Sequence, residues 1–247
     1  MLVMLRFFLF VLFFQSVVQA SDFSSWPVFK EKHIDPFISQ GTDTTSGLIL
    51  LSGALGVAAT HAEDDSVRAQ WKGYQKMDKD TAHIGDILGT GAFSLVAAGL
   101  QYQFDDREYI YQSHLRGFVY GGISIYALKT VFARPRPGNS DNHQSFPSGH
   151  TTIMFMSATQ LQHAYGWGIG SAAYALSIFT AATRLSDDVH WLSDTVGGAF
   201  LGMWVGRATF YDHKNLESKS WLIPNKNLLI VPVVAAQSAG FFLDYHF

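Results

Sequence analysis

The sequence predicts an all-α fold, a six-helix bundle with a short β-hairpin at its C-terminal end. Three observations carry this expectation. Six apolar stretches of helical length follow one another between residues 46 and 210, each interrupted by small or polar residues. Charged residues make up 15% of the 247, against 48% hydrophobic, well below the charged share of an ordinary soluble domain. After residue 211 the pattern changes to polar residues followed by two short runs of strand character.

In chain order, residues 1–20 read as an export signal. Arg6 is its positive start, Phe7 to Phe14 its apolar run, and Val18-Gln19-Ala20 offers small residues to a signal peptidase. The run is short for a bilayer span, so the mature chain is expected to begin near Ser21, with an uncleaved anchor as the alternative. Residues 21–45 hold Pro27, Pro36 and Gly41 and read as an irregular lead-in. The helices of the main domain, 46–211, are expected at 46–61, 82–102, 112–133, 149–166, 168–185 and 189–210. A charged stretch from Glu63 to Lys79 separates the first two. Gly198, Gly202 and Gly206, four residues apart, would let another backbone approach the last helix closely. In the tail, 212–247, Leu228–Val234 and Ala239–Phe247 read as strands. The second has Phe241, Leu243, Tyr245 and Phe247 on one face, and the pair is expected to pack on the helical body.

Composition excludes several functions. A net charge of −3 gives no bulk attraction for nucleic acid. The absence of cysteine removes disulfides, thiolate metal sites and a cysteine nucleophile together. No His-Glu-x-x-His and no carboxylate run offers metal-ligand spacing, so no metal or other cofactor is expected.

Three short segments carry chemistry. In the first, Lys129 and Arg136 are seven apart, about 20° around a helix, and the prolines at 135 and 137 place them at its mouth. Alone, such a pair is an ordinary solvated helix end. The second is Pro147-Ser148-Gly149-His150. Ser148 is placed to cap the next helix, whose first amides form an anion site, and Gly149 leaves that backbone open. His150 adds a titratable group to the same turn. In the third, Arg184 offers a planar fork to phosphate oxygens, and His190 and Asp194 are four apart, facing each other on a helix. A carboxylate on one imidazole nitrogen leaves the other as nucleophile or base. Together the segments can stabilise a pentacovalent phosphorus with side-chain cations and backbone amides.

In this order the segments resemble the three-part signature of the type 2 phosphatidic acid phosphatase (PAP2) and vanadium haloperoxidase superfamily: Lys-x6-Arg-Pro, Pro-Ser-Gly-His and Ser-Arg-x5-His-x3-Asp. Thr183 stands where the signature has serine, and Arg134-Pro135 is a competing pair out of register with Lys129. The resemblance spans roughly residues 85–210. It implies an all-helical bundle with the site at one end, and a phosphatase working through a phospho-histidine. His190 would attack phosphorus, Asp194 would orient it, and His150 would protonate the leaving oxygen and then activate water. Lys129, Arg136, Ser148, Gly149 and Arg184 would hold the phosphate oxygens.

Relatives implied by this resemblance act on lipid phosphates or diphosphates, and some secreted ones on soluble phosphomonoesters. An aromatic content of 15% and the apolar helices favour a lipid-linked substrate here. A haloperoxidase would use the same residues in a larger chain, and a catalytically idle membrane scaffold is the reading from another class. If every helix crossed a bilayer, three crossings would precede Arg136 and the site would be cytoplasmic. Gln160, Gln162 and His163 instead suggest that helix 149–166 is buried in protein. The expectation is an exported, periplasmic-facing, membrane-associated protein, with an integral inner-membrane protein as the alternative.

Overall fold

The computed structural model describes residues 26–73, 77–212, 228–235 and 238–245, the last two stretches as backbone only. The expected export signal lies outside them. The lead-in is not irregular: it forms α1 (Trp26–Phe29), a π-helical turn (Lys30–Ile34) and α2 (Asp35–Gly41). Pro36 does not break this run: it stands directly after the π-helical turn, in the first turn of α2.

α3 (Thr44–His61) starts where Asp43 Oδ1 accepts the Ser46 amide at 2.8 Å. The charged stretch that separates the first two expected helices contains α4 (Asp64–Gly73), with Asp64 and Asp65 in its first turn and Lys72 in its last, as the helix dipole favours. The second expected helix is α5 (Lys79–Ile87) and α6 (Phe93–Phe104), joined by a π-helical turn at Leu88–Ala92. Gly91 sits there at φ +99°, and a Cβ on it would lie 2.4 Å from the Phe118 ring. α7 (Glu108–Phe132), α8 (Gly149–Tyr165), α9 (Trp167–Ser186) and α10 (Leu192–Ala208) follow.

α8 is the central helix, packed by α7, α9, α10 and the Leu88–Ala92 turn. Met154, Met156 and Ala158 are fully buried on it. Its polar residues face protein, too: Gln160 Nε2 donates to Ser113 O and to Thr209 Oγ1, both at 2.8 Å. The glycine stripe of α10 lies on the backbone of α8. A Cβ at Gly198 would sit 2.7 Å from Ser148 O, at Gly202 2.3 Å from Thr152 O, and at Gly206 2.6 Å from Met156 O. Two helices that begin at the functional segments are thus fused along their length. Buried Arg207, in the last turn of α10, donates to Gln40 O and Ser46 Oγ at 2.8 Å and ties α10 to the start of α3.

The outer faces are apolar. Leu51 and Leu55 on α3, Val96 and Leu100 on α6, Ile123 and Tyr126 on α7, and Ile178 on α9 are all exposed. Among the described residues, Lys79–Phe104 is long and apolar enough to cross a membrane, and α3 with the following Asp64–Lys72 passes the same test only as a pair bent by 65°. In the tail, β1 (Leu228–Ala235) and β2 (Ser238–Tyr245) pair antiparallel, from Leu228 opposite Tyr245 to Ala235 opposite Ser238.

Candidate active site

α7 ends at Phe132 because Ala133 turns left-handed (φ 41°, ψ 41°) and Pro135 disfavours helix at Arg134. Lys129 therefore stands in the last turn of α7 and Arg136 in the loop beyond it, so the shared helix face expected from their spacing is not how they meet. The loop folds back instead, with Arg136 N donating to Asn142 O and Ser145 N to Arg134 O, both at 2.9 Å. Lys129 Nζ donates to Gln144 O. Arg136 Nε is buried and has no hydrogen-bond partner among the described residues.

Ser148 is the N-cap residue of α8, but its hydroxyl does not cap the helix. It accepts a hydrogen bond from Thr151 Oγ1 at 3.0 Å, and its amide donates to Asp194 O at 3.0 Å. A Cβ at Gly149 would stand 3.5 Å from Ile125, an ordinary contact, so packing does not require glycine here. Open backbone at the first turn remains its physical use.

The helix expected from residue 189 starts at Leu192, with Trp191 as N-cap. His190 is therefore outside it, and the pair does not meet across a helical turn. Asp194 turns back toward the chain before the helix. Its Oδ2 accepts the Trp191 amide at 2.9 Å and the Ser145 hydroxyl, and lies 3.6 Å from His190 Nδ1, an ion-pair distance longer than a hydrogen bond. Burial pushes the Asp194 carboxyl up, but His190, Ser145, the Trp191 amide and Arg134 outweigh it and hold it below the usual carboxylate range. Burial lowers the His190 imidazole, and Lys129 and Arg136 lower it further, while Asp194 opposes them.

His150, in the first turn of α8, is lowered to about 4 by burial and by the adjacent Arg184, with a smaller contribution from His190. Arg184, in the last turn of α9, donates from Nη1 to Asp86 Oδ1 at 2.7 Å and from Nη2 to Asp187 Oδ2 at 2.9 Å. Thr183 keeps its hydroxyl in use, donating to Thr180 O at 2.8 Å. Lys129, Arg136, Arg184, His150 and His190 form an unbroken chain of electrostatic neighbours, and Ser148 begins the helix that carries His150. Among the described residues, no group of three or more histidines and carboxylates is arranged to hold a metal ion.

Several residues around this centre were not singled out from sequence. Arg134, set aside as a competing pair, donates to Asp194 Oδ1 at 2.6 Å, to Ser193 Oγ at 2.7 Å and to Asp64 Oδ2 at 2.7 Å. Asp64, buried at the start of α4, also accepts the Ser193 amide at 2.9 Å across 129 residues of chain. Arg68 of α4 donates to Asp188 Oδ1 at 2.7 Å and to Pro137 O, joining the loop after α7 to the loop before α10. The acidic first turn of α4 was a visible signal, but nothing in the spacing says where it docks.

Residues 113–218 match the family model described as PAP2 superfamily. Over 100 residues the chain is 36% identical to a lipid A 1-phosphatase of Porphyromonas gingivalis, a stretch that is 38% of this chain and 22% of that protein. The chain thus spans about a fifth of the length of that relative. Two crystal structures are similar. One, of Aquifex aeolicus LpxE, is 22% identical with a TM-score of 0.45, covering 63% of this chain and 92% of that one. The other, a transmembrane PAP2-type phosphatidylglycerolphosphate phosphatase of Bacillus subtilis, is 18% identical with a TM-score of 0.47, covering 64% and 90%.

Proposed function

We propose, from the match of residues 113–218 to the PAP2 superfamily, that this chain is a phosphatase that hydrolyses a lipid-linked phosphomonoester or diphosphate without a metal ion. The observation that carries the reading is the pairing of His190 with buried Asp194 beside Lys129, Arg136 and Arg184. Asp194 faces Nδ1 of His190, which leaves Nε2 to attack phosphorus. The P–N bond forms as the bond to the leaving oxygen breaks, and His150 gives that oxygen its proton. His150 then takes a proton from water, whose oxygen displaces His190 and releases phosphate. Lys129, Arg136, Arg184 and the backbone around Ser148 and Gly149 hold the phosphate oxygens, supplying the charge stabilisation that a metal supplies elsewhere.

The lipid side of the reading is supported by the exposed apolar faces of α3, α6, α7 and α9. A cavity of about 540 Å³ lined by Leu50, Val57, Phe132, Phe146, Phe200 and Arg134 offers room for an acyl chain. The catalytic body is the six-helix bundle, from α3 through the α5–α6 run to α10, with the β-hairpin as an appendage. The protein is exported, membrane-associated and faces the periplasm, with phosphorylated lipid as its substrate. Phosphate release from lipid phosphates in detergent micelles containing EDTA tests this reading, together with inhibition by vanadate. Activity lost to the chelator and restored by magnesium or zinc would refute the metal-free mechanism, and no release from any phosphate ester would leave a scaffold.

A further inference from the structure

We infer that Asp86 is a built-in competitor for the phosphate position, holding Arg184 and yielding it to phosphate with His150 as its remaining neighbour. The inference rests on the phosphatase reading above. One carboxylate oxygen, Asp86 Oδ1, lies 2.7 Å from Arg184 Nη1 and 3.0 Å from His150 Nε2. These are the groups assigned to grip the phosphate and to protonate the leaving oxygen. The contact to Arg184 is a hydrogen bond. The contact to His150 is close enough for an ion pair but not aligned as a hydrogen bond, and buried Nε2 has no other partner among the described residues. Asp86 Oδ1 therefore sits between a guanidinium that donates to it and an imidazole nitrogen within ion-pair reach.

Arg184 is more enclosed than Asp86. The Arg184 side chain is 6% exposed and anchored by Asp187 on its other arm, whereas the Asp86 side chain is 43% exposed. Asp86 stands one residue before the end of α5, and in the next turn Gly89 packs so tightly on His150 that a Cβ there would lie 2.5 Å from the imidazole. The backbone thus delivers this carboxylate to the histidine. A phosphate dianion seeking Nη1 of Arg184 meets a like charge already there, and the two repel each other across it. Displaced from the guanidinium, Asp86 keeps the His150 imidazole as its remaining neighbour and favours a proton on it. The charged groups facing His150 are Asp86 from α5, Arg184 from α9 and His190 from the loop before α10. Lys129 and Arg136 act on His190. Asp86 is then a positioning residue with two opposed effects: it weakens anion binding and favours the proton on His150.

The near-isosteric Asp86→Asn tests both effects at once. In detergent micelles, inorganic vanadate and phosphate should inhibit the variant at concentrations about three- to tenfold lower than the wild type, the scale of one partly exposed charge contact. Over the same range kcat should fall about tenfold, and its alkaline limb should move to lower pH, because the acid loses its counter-charge. Asp86→Glu should restore the limb and raise the inhibitory concentrations again. Unchanged or weaker vanadate inhibition of Asp86→Asn, with an active, vanadate-sensitive wild type and matching thermal melts, would overturn the inference alone. A wild type that neither releases phosphate nor binds vanadate would overturn the phosphatase reading and this inference with it.

Discussion

Arg134 donates from Nη1 to Oδ1 of Asp194 at 2.6 Å, so the carboxylate facing His190 is clasped by a cation from the loop after α7. The same guanidinium reaches Asp64 at 2.7 Å and lies 5.4 Å from the centre of the Trp191 ring. Its two terminal nitrogens serve the two carboxylates separately, in the fixed geometry of a planar fork. Arg134→Lys keeps the charge and loses the fork, so Asp194 should drift while the phosphate-holding cations remain. We expect kcat to fall by about 10- to 100-fold with KM changed less than about threefold. Steady-state kinetics on a lipid phosphate decides it, and a rise in KM with kcat intact would place Arg134 on the substrate instead.

The two histidines should separate by role. His190→Ala should abolish phosphoenzyme formation, because no nucleophile remains. His150→Ala should cripple turnover of an alkyl phosphate but still form phosphoenzyme from p-nitrophenyl phosphate, whose leaving group needs little protonation. That intermediate should accumulate, since the base that activates water is gone. Asp194→Asn should lose about 10²–10⁴ in kcat, as orienting carboxylates do elsewhere. Labelling that survives in His190→Ala and vanishes in His150→Ala would reverse the assignment.

Stability should fall in acid, and histidines explain the direction. Burial lowers His114 to about 3 and His163 to about 4, and His150 is lowered to about 4 by burial and Arg184. The unfolded chain takes up these protons near the ordinary value of about 6.5, before the folded chain does. Between these values the unfolded state binds more protons, so the contribution is full above about 6.5 and is lost as pH falls toward 4 and below. Melting temperatures in detergent should drop steadily across that window, and His114→Gln should shallow the slope. A melting temperature flat from pH 6.5 to 4 would contradict the buried, neutral state of these imidazoles.

Of the three stripe glycines Gly202 is the most crowded, with a Cβ placed 2.3 Å from Thr152 O. Gly202→Ala must push the backbones of the two helices away from each other, because the obstructing atom is not a flexible side chain. We expect a loss of about 1–3 kcal/mol, read by chemical denaturation, as for overpacked cores generally. Activity should fall as well, since α8 carries His150 and α10 carries Asp194. The control is Gly122→Ala, where a Cβ meets nothing within 4 Å. Equal effects at both glycines would remove the packing argument.

Legibility in the sequence followed the range of the interaction. Lys129, Arg136, His150, Arg184, His190 and Asp194 could be named because their residue types and spacings fall within three short segments. The glycine stripe was legible for the same reason, since its period lies on one helix. The manner of contact was less so. Lys129 and Arg136 were expected on one helix face, but a left-handed Ala133 ends the helix between them. His190 and Asp194 were expected one turn apart, but Asp194 instead accepts the Trp191 amide and the helix starts after His190. Asp64, Asp86 and the partners of Arg134 were not legible, because each acts through a contact to a distant region of the chain. α4 lies in the charged stretch that separates the first two expected helices, and its spacing does not show that Asp64 is turned inward.

Asp64, Arg68 and Asp86 all precede residue 113, where the family match begins. A chain trimmed to the matching residues would keep every signature side chain and lose the brace under Arg134 and Ser193, the strap on Pro137 and Asp188, and the carboxylate between Arg184 and His150. During synthesis the order is reversed: the brace leaves the ribosome first and waits for loops made more than a hundred residues later, Asp64 meeting Ser193 across 129 positions. Contacts of such sequence separation carry a large loop-closure cost, so slow docking of the early helices would delay activity even after α8 and α10 have packed together.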